Sequence, residues 1–284
     1  MLDASERVEV SGELTAHGHD GAGLNGKVGE LPLLDVRDLS VRFGGLVVLD
    51  ALSFTIDEGH ICALIGPNGA GKTTFFNVVS RIYLPTEGQV TFDGRDLLAL
   101  PAHGIARLGI TRTFQNLALF PGMSVLDNVM VGAHSWSKGG FVTSAFRLPP
   151  MPGEAKRLRN DAYGLLDRLD LAALADHPCV GLPYGTLKRI ELARAMASRP
   201  KLLMLDEPAS GLTHSEVDEL AAVIRGLRDD YDLTVLLVEH HMNMVMSISE
   251  KVVVMEFGRK IAEGRPEDVA NDPLVIEAYL GSST

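Results

Sequence analysis

The sequence predicts an α/β fold: a parallel-sheet core, preceded by antiparallel strands and interrupted by a helical stretch. Three observations carry this. The apolar run Ile61-Cys62-Ala63-Leu64-Ile65 leads at once into a glycine-rich loop and then the helix-like TTFFNVVSRI, the order of a βα unit in a parallel sheet. The last third alternates in kind, as KLLMLDE, SEVDELAAVIRGLRDD, LTVLLVEHH and KVVVMEFGRKIAEG. Between these parts, from about Leu117 to Ser198, helical spacing dominates.

Taken in order, residues 1–31 read as a disordered leader: SGELTAHGHDGAGLNGKVGE holds six glycines and no apolar period. His17 and His19 within it are expected to be solvated. From Leu33, LLDVRDLSVRF and LVVLDALSFTI alternate as antiparallel strands do, with Gly44-Gly45 as the turn. A second hairpin-like piece, GQVTFDG, follows the break at Pro85. WSKGGFVTSAFRLPPMPG carries three prolines and precludes a continuous helix, whereas EAKRLRNDAYGLLDRLDLAALA has helical spacing. The boundaries expected are a domain over 32–284, its core formed by 32–116 and 198–284 and its helical subdomain by about 117–197.

Composition narrows the function. Of 284 residues, 46% are hydrophobic, enough for a real core. Lys plus Arg total 26 against 37 Asp plus Glu, a formal charge of −11, which argues against broad binding to nucleic acid. Cys62 and Cys179 form no CxxC pair, so no disulfide framework is expected and a reducing cytoplasm is the natural setting. Cys62 reads as a small buried hydrophobe. No apolar run approaches the roughly 18–20 residues that span a bilayer, and MLDASERVEV lacks the order of a signal peptide. Any membrane role is therefore peripheral.

Gly66-Pro67-Asn68-Gly69-Ala70-Gly71-Lys72-Thr73 fits G-x-x-x-x-G-K-[ST], and it lies between a strand and a helix as that loop requires. Its glycines let successive N–H groups turn inward around a phosphate, and the helix beginning near Lys72 points its positive end at the same anion. Lys72 is expected to reach the β and γ phosphates, the Thr73 hydroxyl to ligate Mg²⁺, and Thr74 to lie near the α phosphate.

The run Leu202-Leu203-Met204-Leu205 ends in Asp206-Glu207, and a buried parallel strand delivers such carboxylates to the sheet edge where ligands bind. Asp206 is placed to hold Mg²⁺. Glu207 is suited to take a proton from water attacking the γ-phosphate. His240, just after LTVLLVE, can donate to that phosphate or orient the water. The Gln115 amide, closing ITRTFQ, can ligate Mg²⁺ or orient water. Taken alone, His240 reads as a satisfied structural histidine, and a lone Gln115 carries no signal.

In order, these pieces resemble the ATP-binding-cassette (ABC) ATPases of membrane transporters, from Leu33 to the C-terminus. The resemblance implies a P-loop NTPase (RecA-like) core with an antiparallel β subdomain and an inserted α-helical subdomain. It implies ATP and Mg²⁺ as ligands and makes Phe43 the aromatic that stacks on adenine, Gln115 the Q-loop, and His240 the switch histidine. Leu182-Pro183-Tyr184-Gly185-Thr186 occupies the place of the LSGGQ signature. There Gly185 remains to meet a γ-phosphate on the opposite subunit, but Pro183, Tyr184 and Thr186 depart from the usual Ser, Gly and Gln. Ala209-Ser210-Gly211-Leu212-Thr213 resembles the D-loop, with Thr213 in place of Asp.

RTFQNLALFPGMSVLDNVMVG, the Tyr184-Gly185 form of the signature, and the ending RPEDVANDPLVIEAYLG resemble the longer ATPase type of branched-chain amino acid importers, with extra residues over 133–153. Relatives of that group also import amides, urea and other small acids. The partners so implied are a second ATPase subunit, two transmembrane permease subunits and, indirectly, an extracytoplasmic solute-binding protein, at the cytoplasmic face of the membrane. LALFPGMSVL (117–126) reads equally as a groove for a permease helix or as core packing. Two other classes are disfavoured. A soluble cassette ATPase acting on ribosomes or DNA usually carries two cassettes or a coiled coil, and a P-loop GTPase would carry an N-K-x-D motif.

Overall fold

The computed structural model describes residues 31–113, 117–133 and 152–280. The expectations for the leader and Gln115, and nearly all of that for 133–153, fall outside those residues.

Strands β1 (Leu34–Phe43) and β2 (Leu46–Ile56) form the expected hairpin, pairing from Leu34–Ile56 to Phe43–Leu46 around Gly44, whose φ is +59°. The pairing register of β1 with β2 shifts at three points between Val36 and Arg42. Asp38 takes φ +47°, the pairing register shifts between Val36 and Leu39, and Leu39 is thereby kept buried. With β4 (Glu87–Phe92) and β5 (Arg95–Asp96) this makes an antiparallel sheet ordered β2-β1-β4-β5.

The second sheet contains β3 (Ile61–Ile65), β6 (Ile110–Arg112), β7 (Leu202–Asp206), β8 (Thr234–Val238), β9 (Lys251–Glu256) and β10 (Arg259–Gly264), ordered β10-β9-β3-β8-β7-β6. Its pairings are parallel except at the β10 edge. Every residue of β3, β7 and β8 is buried, as strands covered on both faces must be.

Among the described residues the α-helices are α1 (Lys72–Val79), α2 (Val125–Gly132), α3 (Pro152–Arg168), α4 (Tyr184–Met196), α5 (His214–Tyr231), α6 (Met242–Ile248), α7 (Pro266–Ala270) and α8 (Pro273–Leu280). Side chains along the sheet divide with period two. Leu202, Met204, Leu236 and Val238 face Phe75 and Phe76 of α1 and the antiparallel sheet. Leu203, Leu205, Val235 and Leu237 face Val125, Leu166, Ile190 and Ile224 of the helical layer. A smaller core under the tail joins Ala63 and Ile65 to Val245, Val269 and Val275.

The helical spacing over 154–175 is broken in the structure. α3 ends at Arg168, Asp170 turns left-handed at φ +57°, and a 3₁₀ turn follows over Ala172–Leu174. The reversal returns Leu171 and Ala175 to the core that already holds Leu165 and Leu166, so burial outweighs helix continuation. Within 117–126, Val125 and Leu126 are buried at the start of α2, while Phe120 is 49% exposed. Among the described residues no helix is long and apolar enough to cross a membrane.

Candidate functional site

Parallel pairing brings the C-terminal ends of β3, β6, β7 and β8 to one edge, and the segments that carry Lys72, Asp206, Glu207 and His240 leave from it. At the end of β3, Lys72 curls back, its Nζ donating to the Gly66 carbonyl at 2.6 Å and the Pro67 carbonyl at 2.9 Å. Ala70 N–H closes onto Pro67 O at 3.2 Å, so Pro67, Asn68, Gly69 and Ala70 form a tight turn. Two glycines are required sterically. A Cβ at Gly66 would lie 2.1 Å from Met255 O, and one at Gly71, whose φ is +101°, would lie 2.8 Å from Val48 O. No side chain caps α1 and its first turn holds no acid, so its N–H groups point to the space the turn encloses. Thr73 is exposed there and Thr74 half-buried. Burial lowers the Lys72 pKa from its ordinary value, opposed by the charges of Glu207 and Asp206.

Asp206 is a buried carboxylate that receives Arg112 Nη2 at 2.7 Å. The same guanidinium donates from Nη1 to Asn77 of α1 at 2.7 Å and sits 5.3 Å from the centre of the Phe76 ring. Arg112 thus ties β6, β7 and the phosphate-loop helix together. Sequence reasoning missed it; the available signal was an arginine closing a short strand just before the Gln115 segment.

Glu207 leaves β7 at φ +50°, a left-handed turn that a non-glycine residue adopts only when its surroundings hold it. Its N–H bonds Val238 O at 2.8 Å, and its Oε1 lies 2.7 Å from His240 Nε2. The adjacent His241 turns elsewhere, with Nδ1 3.0 Å from Glu239. The geometry therefore separates the two histidines: His240 meets Glu207 and His241 meets Glu239.

Phe43, 46% exposed, lies edge-on to Tyr83 with ring centres 5.2 Å apart, an aromatic corner that sequence reasoning read from one side only. Gly185 stands in the first turn of α4, whose N-cap Pro183 provides no side-chain cap. A Cβ there would lie 2.9 Å from Glu216 Oε1. Tyr184 packs on the left-handed Gly211, where a Cβ would meet its ring at 3.2 Å, and the Lys188 ammonium lies 5.6 Å from the ring centre. Thr213 caps α5 in a reciprocal box with Glu216, which explains a hydroxyl at that position. Its N–H and hydroxyl hold the Glu216 carboxyl below the ordinary range.

Among the described residues no three His, Cys, Asp or Glu side chains gather as a metal cage. An exposed hydroxyl and one buried carboxylate beside a phosphate loop form the kind of partial donor set that Mg²⁺ takes together with phosphate oxygens.

Comparison with known proteins bears on the whole arrangement. The ABC transporter family model matches residues 49–210, and a model described as a branched-chain amino acid ATP-binding cassette transporter matches 259–283. The chain is 42% identical to the high-affinity branched-chain amino acid transport ATP-binding protein BraF of Pseudomonas aeruginosa, over 89% of this chain and 99% of that one. It is 40% identical, with the same coverage, to its counterpart LivG of Escherichia coli K12. Among solved structures, a nucleotide-free ATP-binding cassette from an ABC transporter superposes with a TM-score of 0.76 at 29% identity, over 88% of this chain and 99% of that one. An ATP-binding cassette in its ADP conformation gives 0.77 at 29% identity, over 89% and 100%. The chain belongs to the ABC transporter family as one of its ATP-hydrolysing subunits.

Proposed function

We propose that this ATPase drives an importer of branched-chain or related amino acids. It would work as a nucleotide-sandwich dimer, with itself or a paralogue, at the cytoplasmic face of the membrane beneath two permease subunits fed by a solute-binding protein. The observation that carries the catalytic half is the convergence of Lys72, Asp206 and the Glu207–His240 pair on one sheet edge. The amino-acid half is supported by the names of the relatives and by the family match over the tail.

In this reading the adenine stacks on Phe43, and the phosphates lie in the turn of Gly66, Pro67, Asn68, Gly69, Ala70 and Gly71. Lys72 exchanges its loop carbonyls for β and γ oxygens. Thr73, Asp206 and Gln115 would hold Mg²⁺, which neutralises phosphate charge when bound. Glu207 takes the proton of a water whose oxygen attacks the γ-phosphorus, and ADP departs as that bond forms. His240 orients Glu207 and can donate to the γ-phosphate. Gly185 presents the uncapped α4 terminus to the ATP of the other subunit.

Glu207→Gln tests the catalytic half. MgATP should bind as in the wild type, turnover should fall by roughly 10²–10³-fold, and light scattering should detect a trapped dimer. Full turnover would remove Glu207 from the role of base. Uptake of labelled leucine, isoleucine and valine, restored in a deletion strain by the wild-type gene and not by Lys72→Ala, tests the solute.

A further inference from the structure

Directly before His240 stands Glu239, a carboxylate only 1% exposed. Its one ion-pair partner among the described residues is His241, 40% exposed at its side chain. Burying a carboxylate without a cation is costly unless hydrogen bonds replace its water. Here they do. Ala209 N–H donates to Oε1 at 2.7 Å, while His240 N–H and His241 N–H donate to Oε2 at 2.7 and 3.1 Å. His241 Nδ1, also at Oε2, completes the set at 3.0 Å.

The placement of these donors matters. β7 and β8 pair in register as far as Asp206 and Val238, and Glu207 N–H to Val238 O is the last backbone bond between them. Beyond it the chains diverge into two loops. The Glu239 side chain spans them, with one oxygen on the residue two past Glu207 and the other on the backbone of His240 itself. The Glu207–His240 hydrogen bond of 2.7 Å crosses between the same two loops.

We propose that Glu239 is a positioning residue for ATP hydrolysis. Its buried carboxylate continues the β7–β8 pairing past the strand ends and holds Glu207 and His240 at reacting distance. This rests on the reading of Glu207 and His240 as the hydrolytic pair. The phosphate loop takes part in none of these bonds, so the binding of ATP through that loop does not depend on them. Replacement by glutamine keeps the size but turns one acceptor into a donor, which then faces an N–H group and pushes one loop away.

The test is a double-mutant cycle in the purified full-length chain, reading steady-state kcat and KM with direct binding of a fluorescent ATP analogue. Glu239→Gln should lower kcat about tenfold with affinity within twofold, a geometric loss of the size that misplaced reacting groups produce. In a His240→Ala background, where the contact to be positioned is gone, the same change should cost less than twofold. Wild-type kcat in Glu239→Gln overturns the proposal, as does a parallel fall in affinity, or a full additional loss in the His240→Ala background. Wild-type turnover in His240→Ala alone overturns the pair, and this proposal with it. Glu239→Asp keeps the charge but shortens the span, and should reproduce the kcat loss. It also stands in if the glutamine variant does not fold, and failure of both to fold makes Glu239 a folding residue and overturns the proposal.

Discussion

Two helix N-termini are assigned to ATP in the proposed function, and they are built differently. Neither α1 nor α4 has a side-chain cap, whereas α2 is capped by Ser124 and α5 by the Thr213–Glu216 box. The α1 terminus is made from backbone: the loop carbonyls hold Lys72, and Gly66 and Gly71 sit where any Cβ would strike a neighbouring carbonyl. The α4 terminus is made from side chains of two elements: Tyr184 against Gly211, Lys188 over Tyr184, and Glu216 beside Gly185. A backbone-built site tolerates little change of residue type, and its motif survives intact. A side-chain-built site can be rebuilt from other residues, and here Pro183, Tyr184 and Thr186 stand where the family usually has Ser, Gly and Gln.

Substitutions at the two termini should therefore differ in their effects on binding and turnover. Lys72→Ala should cost the most, abolishing hydrolysis by roughly 10²–10³-fold or more, measured as phosphate release. MgATP affinity should fall with it, because the same ammonium serves binding. Gly185→Ala should lower turnover about tenfold while leaving MgATP affinity of the chain unchanged, since the new methyl meets the Glu216 side chain and not the phosphate loop. Equal losses of affinity and turnover there would show that the two termini do not work separately. Thr213→Ala removes a cap and should cost about 1 kcal/mol, a fall in Tm of about 3 °C, with turnover retained. The smallest change is expected at Cys62, which lies wholly buried in β3 and whose pKa is pushed up to about 12 by burial. It should stay unreactive to Ellman's reagent at pH 8 until the chain unfolds.

Glu239 and Arg112 show why part of the site escaped the sequence. Each is an ordinary polar residue at a strand end, and neither belongs to a spacing pattern. Their meaning comes from partners far along the chain: Arg112 with Asp206 and Asn77, Glu239 with Ala209. Helical spacing likewise could not locate the end of α3, because the turn at Asp170 answers to core burial of Leu171 and not to local propensity.

From its own order of residues the chain determined the strand–loop–helix of the phosphate site, the hairpin about Gly44, the buried strands and the acidic pair at the end of β7. These depend on steric freedom at glycine and on hydrophobic period, both of which act over a few residues. Tertiary structure alone decided which guanidinium grips Asp206, which buried carboxylate spans the loops after β7 and β8, and what supports the altered signature turn. Those outcomes depend on distances between strand ends that only sheet pairing brings within hydrogen-bond reach.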